Sequence, residues 1–141
     1  MQTHNAFKPL RVLFLIILAM IAFTVIAKLW APKDKIPWRT DALAAKEESR
    51  RAGKPVLLYF TASWCPPCQR MKSETWGHAE VESKLQAYVP VKIDIDTDRA
   101  AAERYEINSV PTLVVLDKEG NVTKRITGFL DAAEFVFWID R

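Results

Sequence analysis

Cysteine is nearly absent: Cys65 and Cys68 are the only two in 141 residues, within "SWCPPCQRM". A structural zinc centre needs four ligands. Two thiols supply half of them, and His78 is the only histidine beyond the N-terminal segment. As a structural staple the pair would close a very small loop, which restrains little of the unfolded chain. Net charge is missing from most of the chain as well. Of the 20 Lys and Arg, Lys8, Arg11 and Lys28 precede Pro32, and the remaining 17 balance 17 Asp and Glu. The pI near 8.9 therefore belongs to the N-terminal segment. The rest has no basic footprint for nucleic acid. There is no internal repeat and no low-complexity segment. The acidic run "DIDTD", Asp94 to Asp98, opens like a calcium loop, but Arg99 stands where that loop needs Gly and Tyr105 where it needs Glu. No metal is expected.

What is present divides in two. "VLFLIILAMIAFTVIA", Val12 to Ala27, is uninterrupted by charge, Gly or Pro, with Lys8 and Arg11 before it and Lys28 after it. As a helix this run spans about 24 Å at about 1.5 Å per residue, against a hydrocarbon core of about 30 Å. Leu10, Leu29, Trp30 and Ala31 extend it, Arg11 and Lys28 can snorkel, and Trp30 suits the interface. Its apolar residues cover all faces, unlike the single stripe of a core helix. Two readings compete, an uncleaved signal-anchor and a signal peptide cleaved after Ala27. The length of the run and the lack of a polar region before that site favour the anchor. Flanking charges fall on both sides and do not orient it; the short tail and the export-signal layout favour a cytoplasmic N-terminus. The expected organisation is a cytoplasmic tail over 1–11, a transmembrane segment over 12–31, a linker over 32–40 and a folded domain over 41–141. That domain then lies on the periplasmic side of an inner membrane, where disulfide chemistry persists.

In the domain, 50% apolar composition for the whole chain argues for a packed core. Thr40 or Asp41 can cap a helix to Ala52, with Gly53 at its C′ position. "PVLLYFTA", Pro55 to Ala62, reads as a central strand buried on both faces. "CPPCQRMKSETW" begins a helix with prolines in its first turn. Ala79 to Gln86 is a further helix, Tyr88 to Asp96 an alternating strand, and Asp98 to Tyr105 a helix. Thr112 to Asp117 and "VTKRITG" are antiparallel strands joined by "KEGN". Asp131 caps a last helix whose Phe135, Trp138 and Ile139 form a core stripe. This order predicts an α/β sandwich, a mixed sheet with helices on both faces.

The pair thus lies where a buried strand meets a helix, and helix N-terminal N–H groups favour a thiolate there. Cys65 is expected to attack a partner disulfide and Cys68 to resolve the mixed disulfide. Pro66 and Pro67 remove two N–H donors from the turn around Cys65. Its thiol pKa is therefore expected near about 7, not near the value of about 3.5 found in strong oxidants.

"VLLYFTASWCPPC", "VKIDID", "INSVPTLVVLDKEG" and "ITGFLDAAEFVFWI" together resemble the thioredoxin superfamily over roughly Ala42 to Arg141. "GKPVLLYFTASWCPPC", "ETW" and "RITGFLDAAEF" resemble its DsbD-type branch, the C-terminal periplasmic domains of thiol:disulfide interchange proteins. The resemblance implies a thioredoxin-like fold and a cis peptide before Pro111. It also implies a substrate surface built from Trp64, Val110 and Pro111, with the Val110 backbone pairing like an added strand. It implies a protein disulfide reductase, monomeric, with no cofactor beyond its own dithiol. Such a protein is fed by a membrane thiol–disulfide donor and acts on exported proteins, apocytochromes among the candidates. Two departures stand out. The superfamily's buried acid six residues before the first cysteine is Tyr59 here. The DsbD-type acid seven residues after that cysteine is Lys72, and Glu74 would face elsewhere. Deprotonation of Cys68 then falls to water, Tyr59 or Lys72, with Lys92, which matches a family lysine, as a further tuning charge. A binding or chaperone module, or a thiol metallochaperone, is the alternative in which the dithiol is not turned over.

Overall fold

In a computed structural model, the backbone is described for residues 7–30 and 35–141, and side chains for 11–26 and 35–141. The first residues of the expected tail, the side chains of Lys8, Ala27, Lys28 and Trp30, residue 31 and linker residues 32–34 lie outside that description. The chain forms two units, Met1–Pro32 and Lys33–Arg141. The described residues of the first form one helix, α1 (Phe7–Trp30). Its described apolar side chains, Phe14 and Phe23 among them, are exposed. Among the described residues no helix is long and apolar enough to cross a membrane.

The second unit follows in the order α2 (Ala42–Ala52), β1 (Val56–Thr61), α3 (Pro66–Glu74), α4 (Ala79–Leu85), β2 (Val89–Asp94), α5 (Arg99–Arg104), β3 (Thr112–Leu116), β4 (Val122–Thr127) and α6 (Ala132–Asp140). Local chemistry sets the boundaries. The Asp41 carboxylate accepts from the Leu43 and Ala44 N–H groups, and Gly53 ends α2 at φ 66°. In that left-handed conformation Gly avoids the Cβ clash of other residues. Asp98 caps α5, and Asp131 with Glu134 forms a capping box on α6.

The four strands are ordered β2-β1-β3-β4, with β1 parallel to β2 and antiparallel to β3. Strand β1 is central and buried at every position, as its unbroken apolar run predicts. Alternate residues of the sheet feed two cores. Leu57, Tyr59, Leu113 and Val115 pack with Met71 of α3, Val81 and Leu85 of α4, and Phe135 and Ile139 of α6. Val56, Leu58, Phe60, Val91 and Val114 pack with Ala45 of α2 and Ala101 of α5. A helical layer therefore covers each face, the expected sandwich. Burial of each large side chain supplies about 1.5–3 kcal/mol, so the end of β1 is a rigid place to mount chemistry. One feature has no sequence signature: Arg39 forms a one-residue parallel bridge with Val91 on the outer edge of β2.

Candidate redox site

Strand β1 ends at Thr61, and the chain turns through Ala62, Ser63 and Trp64 into α3. Cys65 is the N-cap of that helix, with Pro66 and Pro67 in its first two positions. The prolines cost no helical hydrogen bond there, because the first N–H groups of a helix have no intrahelical acceptor. Cys68, one turn on, donates its backbone N–H to Cys65 Sγ at 3.2 Å. The two sulfurs are joined in a disulfide, so the structure is the oxidised form.

Both cysteines are buried, with relative exposures of 2% and 3%. Overall burial does not distinguish the two cysteines; their neighbours do. Cys65 Sγ lies 3.5 Å from the Val110 carbonyl oxygen, an acceptor for its S–H in the dithiol form. The Val110–Pro111 peptide is cis, as the resemblance implied. The loop is pinned by Gly128 N–H donating to the Pro111 carbonyl at 2.8 Å and Thr112 Oγ1 to that of Ser109 at 2.7 Å. Pro111 is buried and Val110 half-buried. Trp64 is 64% exposed, so it is a surface aromatic and no part of the core. Its indole N–H donates to Asp96 Oδ2 at 2.8 Å.

Cys68 faces a cavity of about 280 Å³ whose lining includes Tyr59, Lys72, Lys92 and Asp94. Tyr59, Lys72 and Lys92, three of the five expected tuning residues, thus meet on one side of the disulfide. Tyr59 is buried, and its hydroxyl donates to the Cys68 carbonyl at 3.3 Å. Its ring packs 5.6 Å from that of Trp38 and 5.0 Å from that of Trp76. Lys92 is half-buried and Lys72 exposed. Glu74 does not line the cavity. Its carboxylate is held by Arg70 at 2.9 Å, which lowers its pKa, and Arg70 in turn lies over the Phe129 ring. His78 is exposed at the start of α4 and makes no capping bond. Among the described residues no cluster of His, Cys, Asp and Glu could hold a metal ion.

Asp94 and Asp96 do not stand out in the sequence, where "DIDTD" resembles only an incomplete calcium loop. Alternation in "VKIDID" was the available signal, since it sets Lys92 and Asp94 on one face of β2. Registry supplies the remainder: Tyr59 pairs with Lys92 and Thr61 with Asp94.

The profile of the thioredoxin-like domain family matches residues 44–141. The chain belongs to the thioredoxin-like family. A thioredoxin-like protein of Synechocystis, slr0233, is 42% identical over 84 residues, covering 59% of this chain and 76% of that protein. The thiol:disulfide interchange protein DsbD of Actinobacillus pleuropneumoniae is 29% identical over 111 residues, covering 73% of this chain and 19% of DsbD. The chain thus spans about a fifth of the length of that relative. The oxidised C-terminal domain of Neisseria meningitidis DsbD superposes with a TM-score of 0.60 at 25% identity, covering 73% of this chain and 97% of that domain. With the paired cysteines at the strand-to-helix corner, this family membership makes the protein a thiol–disulfide oxidoreductase. Thioredoxin-like folds use a redox-active disulfide without a separate cofactor, and Cys65–Cys68 is the disulfide present here.

Proposed function

We propose that this chain is a membrane-tethered, extracytoplasmic disulfide reductase. The observation that carries the reading is the Cys65–Cys68 disulfide at the head of α3, with Cys65 Sγ beside the Val110 carbonyl. In the dithiol form the Cys65 thiolate attacks a disulfide of an exported protein. One substrate sulfur leaves as a thiol, and the other stays bonded to Cys65. Cys68 then attacks Cys65, closes the internal disulfide and releases the second substrate sulfur. Two electrons pass to the substrate, and a membrane thiol–disulfide donor restores the dithiol. Trp64, Val110 and Pro111 form the substrate surface, with an extended segment pairing on the Val110 backbone. Pro66 and Pro67 withhold two N–H donors from the Cys65 sulfur, leaving that of Cys68. A less stabilised thiolate makes a more reducing pair, and this supports the reductase direction. Tyr59, Lys72 and Lys92 tune the resolving thiol from the cavity.

The tether is residues 12–31, between a cytoplasmic tail over 1–11 and a linker over 32–40, with the thioredoxin-like domain at 41–141. It is supported by the uncharged run Val12 to Ala27 and by the exposure of its apolar side chains along α1. The likeness to a DsbD C-terminal domain supports an inner-membrane protein with its redox domain in the periplasm. The protein acts as a monomer.

The decisive experiment is a Cys68→Ser trap of the full chain in cells, with covalent partners on Cys65 identified by mass spectrometry. Exported proteins together with a membrane thiol–disulfide protein are the expected catch. Absence of any mixed disulfide would overturn redox turnover in favour of a binding role. A potential near about −270 mV supports the reductase direction, and one near about −120 mV reverses it.

A further inference from the structure

Resolution requires that Cys68 lose its proton before it can attack Cys65, since the thiolate is the nucleophile. A thiol of ordinary pKa, about 8.5, is mostly protonated at neutral pH. Solvent or a group near Cys68 takes that proton. The cavity against Cys68 limits the choice. Lys72 and Lys92 are donors without a lone pair when charged. Tyr59 already directs its hydroxyl proton at the Cys68 carbonyl. Thr61 and Ser63 bring hydroxyls, and Gln69 an amide that donates to the Ser63 carbonyl. Asp94 is the only carboxylate among the lining residues.

Its placement is fixed from two directions. Asp94 pairs in register with Thr61, two residues beyond the Tyr59–Lys92 pair. Side chains two apart on a strand share a face, so Lys92 and Asp94 both point to the side covered by α3. Asp94 Oδ1 accepts the Asp96 N–H at 2.9 Å. Its backbone carbonyl accepts from the Thr97 and Asp98 N–H groups at 3.1 and 2.9 Å. Among the described residues no second partner holds Oδ2. The neighbouring Asp96 carboxylate is taken by the Trp64 indole and does not line the cavity. A volume of about 280 Å³ admits several waters at about 30 Å³ each.

We propose that Asp94 is the proton acceptor for Cys68, acting through water in this cavity. The assignment rests on the dithiol reading above. In the mixed disulfide, the Cys68 proton passes to the Asp94 carboxylate and leaves a thiolate. That thiolate bonds to Cys65 Sγ as the Cys65–substrate bond breaks, and the departing substrate thiolate is protonated from solvent. Asp94 then returns its proton to solvent.

The test separates the two steps. The full chain in detergent is reduced and mixed with a peptide dimer joined by one disulfide, each half carrying a fluorophore. Attack labels Cys65, and resolution removes the label. Asp94→Asn is expected to slow label loss about tenfold or more at pH 7, within the range for a positioned acid or base. The pH profile of that step should move up toward the ordinary thiol value of about 8.5. Asp94→Glu, which keeps a carboxylate, should restore most of the rate. Both variants should label Cys65 as fast as the parent chain. Parent-like label loss with an unmoved profile in Asp94→Asn overturns the assignment, as does equal slowing of both steps. If the Cys68→Ser chain never takes up label, the dithiol reading fails, and the assignment fails with it. Asp94→Asn keeps an oxygen for the Asp96 N–H; if it nevertheless misfolds, Asp94→Glu decides. Its carboxylate sits one methylene deeper, so an altered pH profile for label loss alone supports the assignment, and an unaltered one overturns it.

Discussion

Cys65 and Cys68 share a bond and a helix and are equally hidden, but the two sides of that bond are built from different material. On the Cys65 side are a backbone carbonyl, a loop held by backbone hydrogen bonds, and an exposed tryptophan. On the Cys68 side are two lysines, a carboxylate and a phenol around a cavity. The first set offers shape and hydrogen-bonding edges, which suit another protein chain. The second offers charge and proton capacity, which suit the timing of one thiol's ionisation. The difference teaches that the two half-reactions can be altered separately, because the groups proposed to govern each lie on different elements.

The largest effect should come from removing a sulfur. Cys65→Ser should abolish both capture and reduction of a protein disulfide. Cys68→Ser should keep capture and lose turnover by at least about a thousandfold, as read by gel shift and by a turbidity assay of disulfide reduction. Equal capture by both variants would erase the distinction between the sulfurs.

Next in size is the charged side. Lys92→Met removes a cation from the cavity. Since a nearby cation favours the thiolate, the Cys68 pKa should rise and the resolving step should slow by about three- to tenfold at neutral pH, with capture unchanged. Stopped-flow measurement of both steps decides it, and equal slowing of capture would break the comparison.

The open side should respond more weakly. Trp64→Ala should lower the second-order rate of capture by about threefold, in keeping with the loss of about 0.5–1 kcal/mol of aromatic contact. Asp96→Ala, which releases the indole, should have a smaller effect in the same direction. Neither should alter the rate of resolution.

The smallest prediction concerns the edge strand that carries Lys92 and Asp94. Arg39 forms a two-pronged bond to Glu48, with Nη2 to Oε1 at 2.6 Å and Nε to Oε2 at 3.0 Å. The Arg39 hydrogen bond holds the Glu48 carboxyl below its ordinary pKa. A carboxyl whose folded value is lowered stabilises the fold above its unfolded value, about 4.3, and that stability fades as pH falls through the lowered one. The pair is well exposed, so the loss is under about 1 kcal/mol. Glu48→Gln should remove that part of the acid sensitivity in thermal melts between about pH 5 and 3, and leave both redox steps at neutral pH unchanged.

Much of this was legible in the sequence because it is local. A short continuous apolar run with Tyr and Phe, as in "PVLLYFTA", reads as a strand buried on both faces, and β1 is one. Asp41, Gly53 and Asp131 carry their capping chemistry within four residues of where they act. The prolines beside Cys65 announce a helix start. What the sequence could not display is what two separated segments do together. Asp94 becomes meaningful only when parallel registry sets it beside Thr61, and Asp96 only when the turn after β2 brings it to Trp64, 32 residues earlier. The missing acid at Tyr59 was visible as a departure; the carboxylate at Asp94 required the neighbouring strand.

The Arg39 bridge bears on how copies of this domain behave when crowded. Unpaired strand edges invite further strands to add. Along the outer edge of β2, Pro90 has no N–H to offer, and its carbonyl accepts from Arg39 at 2.8 Å. The Lys92 N–H is spent on the Arg39 carbonyl at 2.8 Å, and the Asp94 carbonyl on the following turn. The opposite edge, β4, presents Lys124 and Arg125, charges that repel a like strand. A single residue, Arg39, thus covers part of the β2 edge, so a dense population of these domains offers fewer open edges from which aggregates could grow.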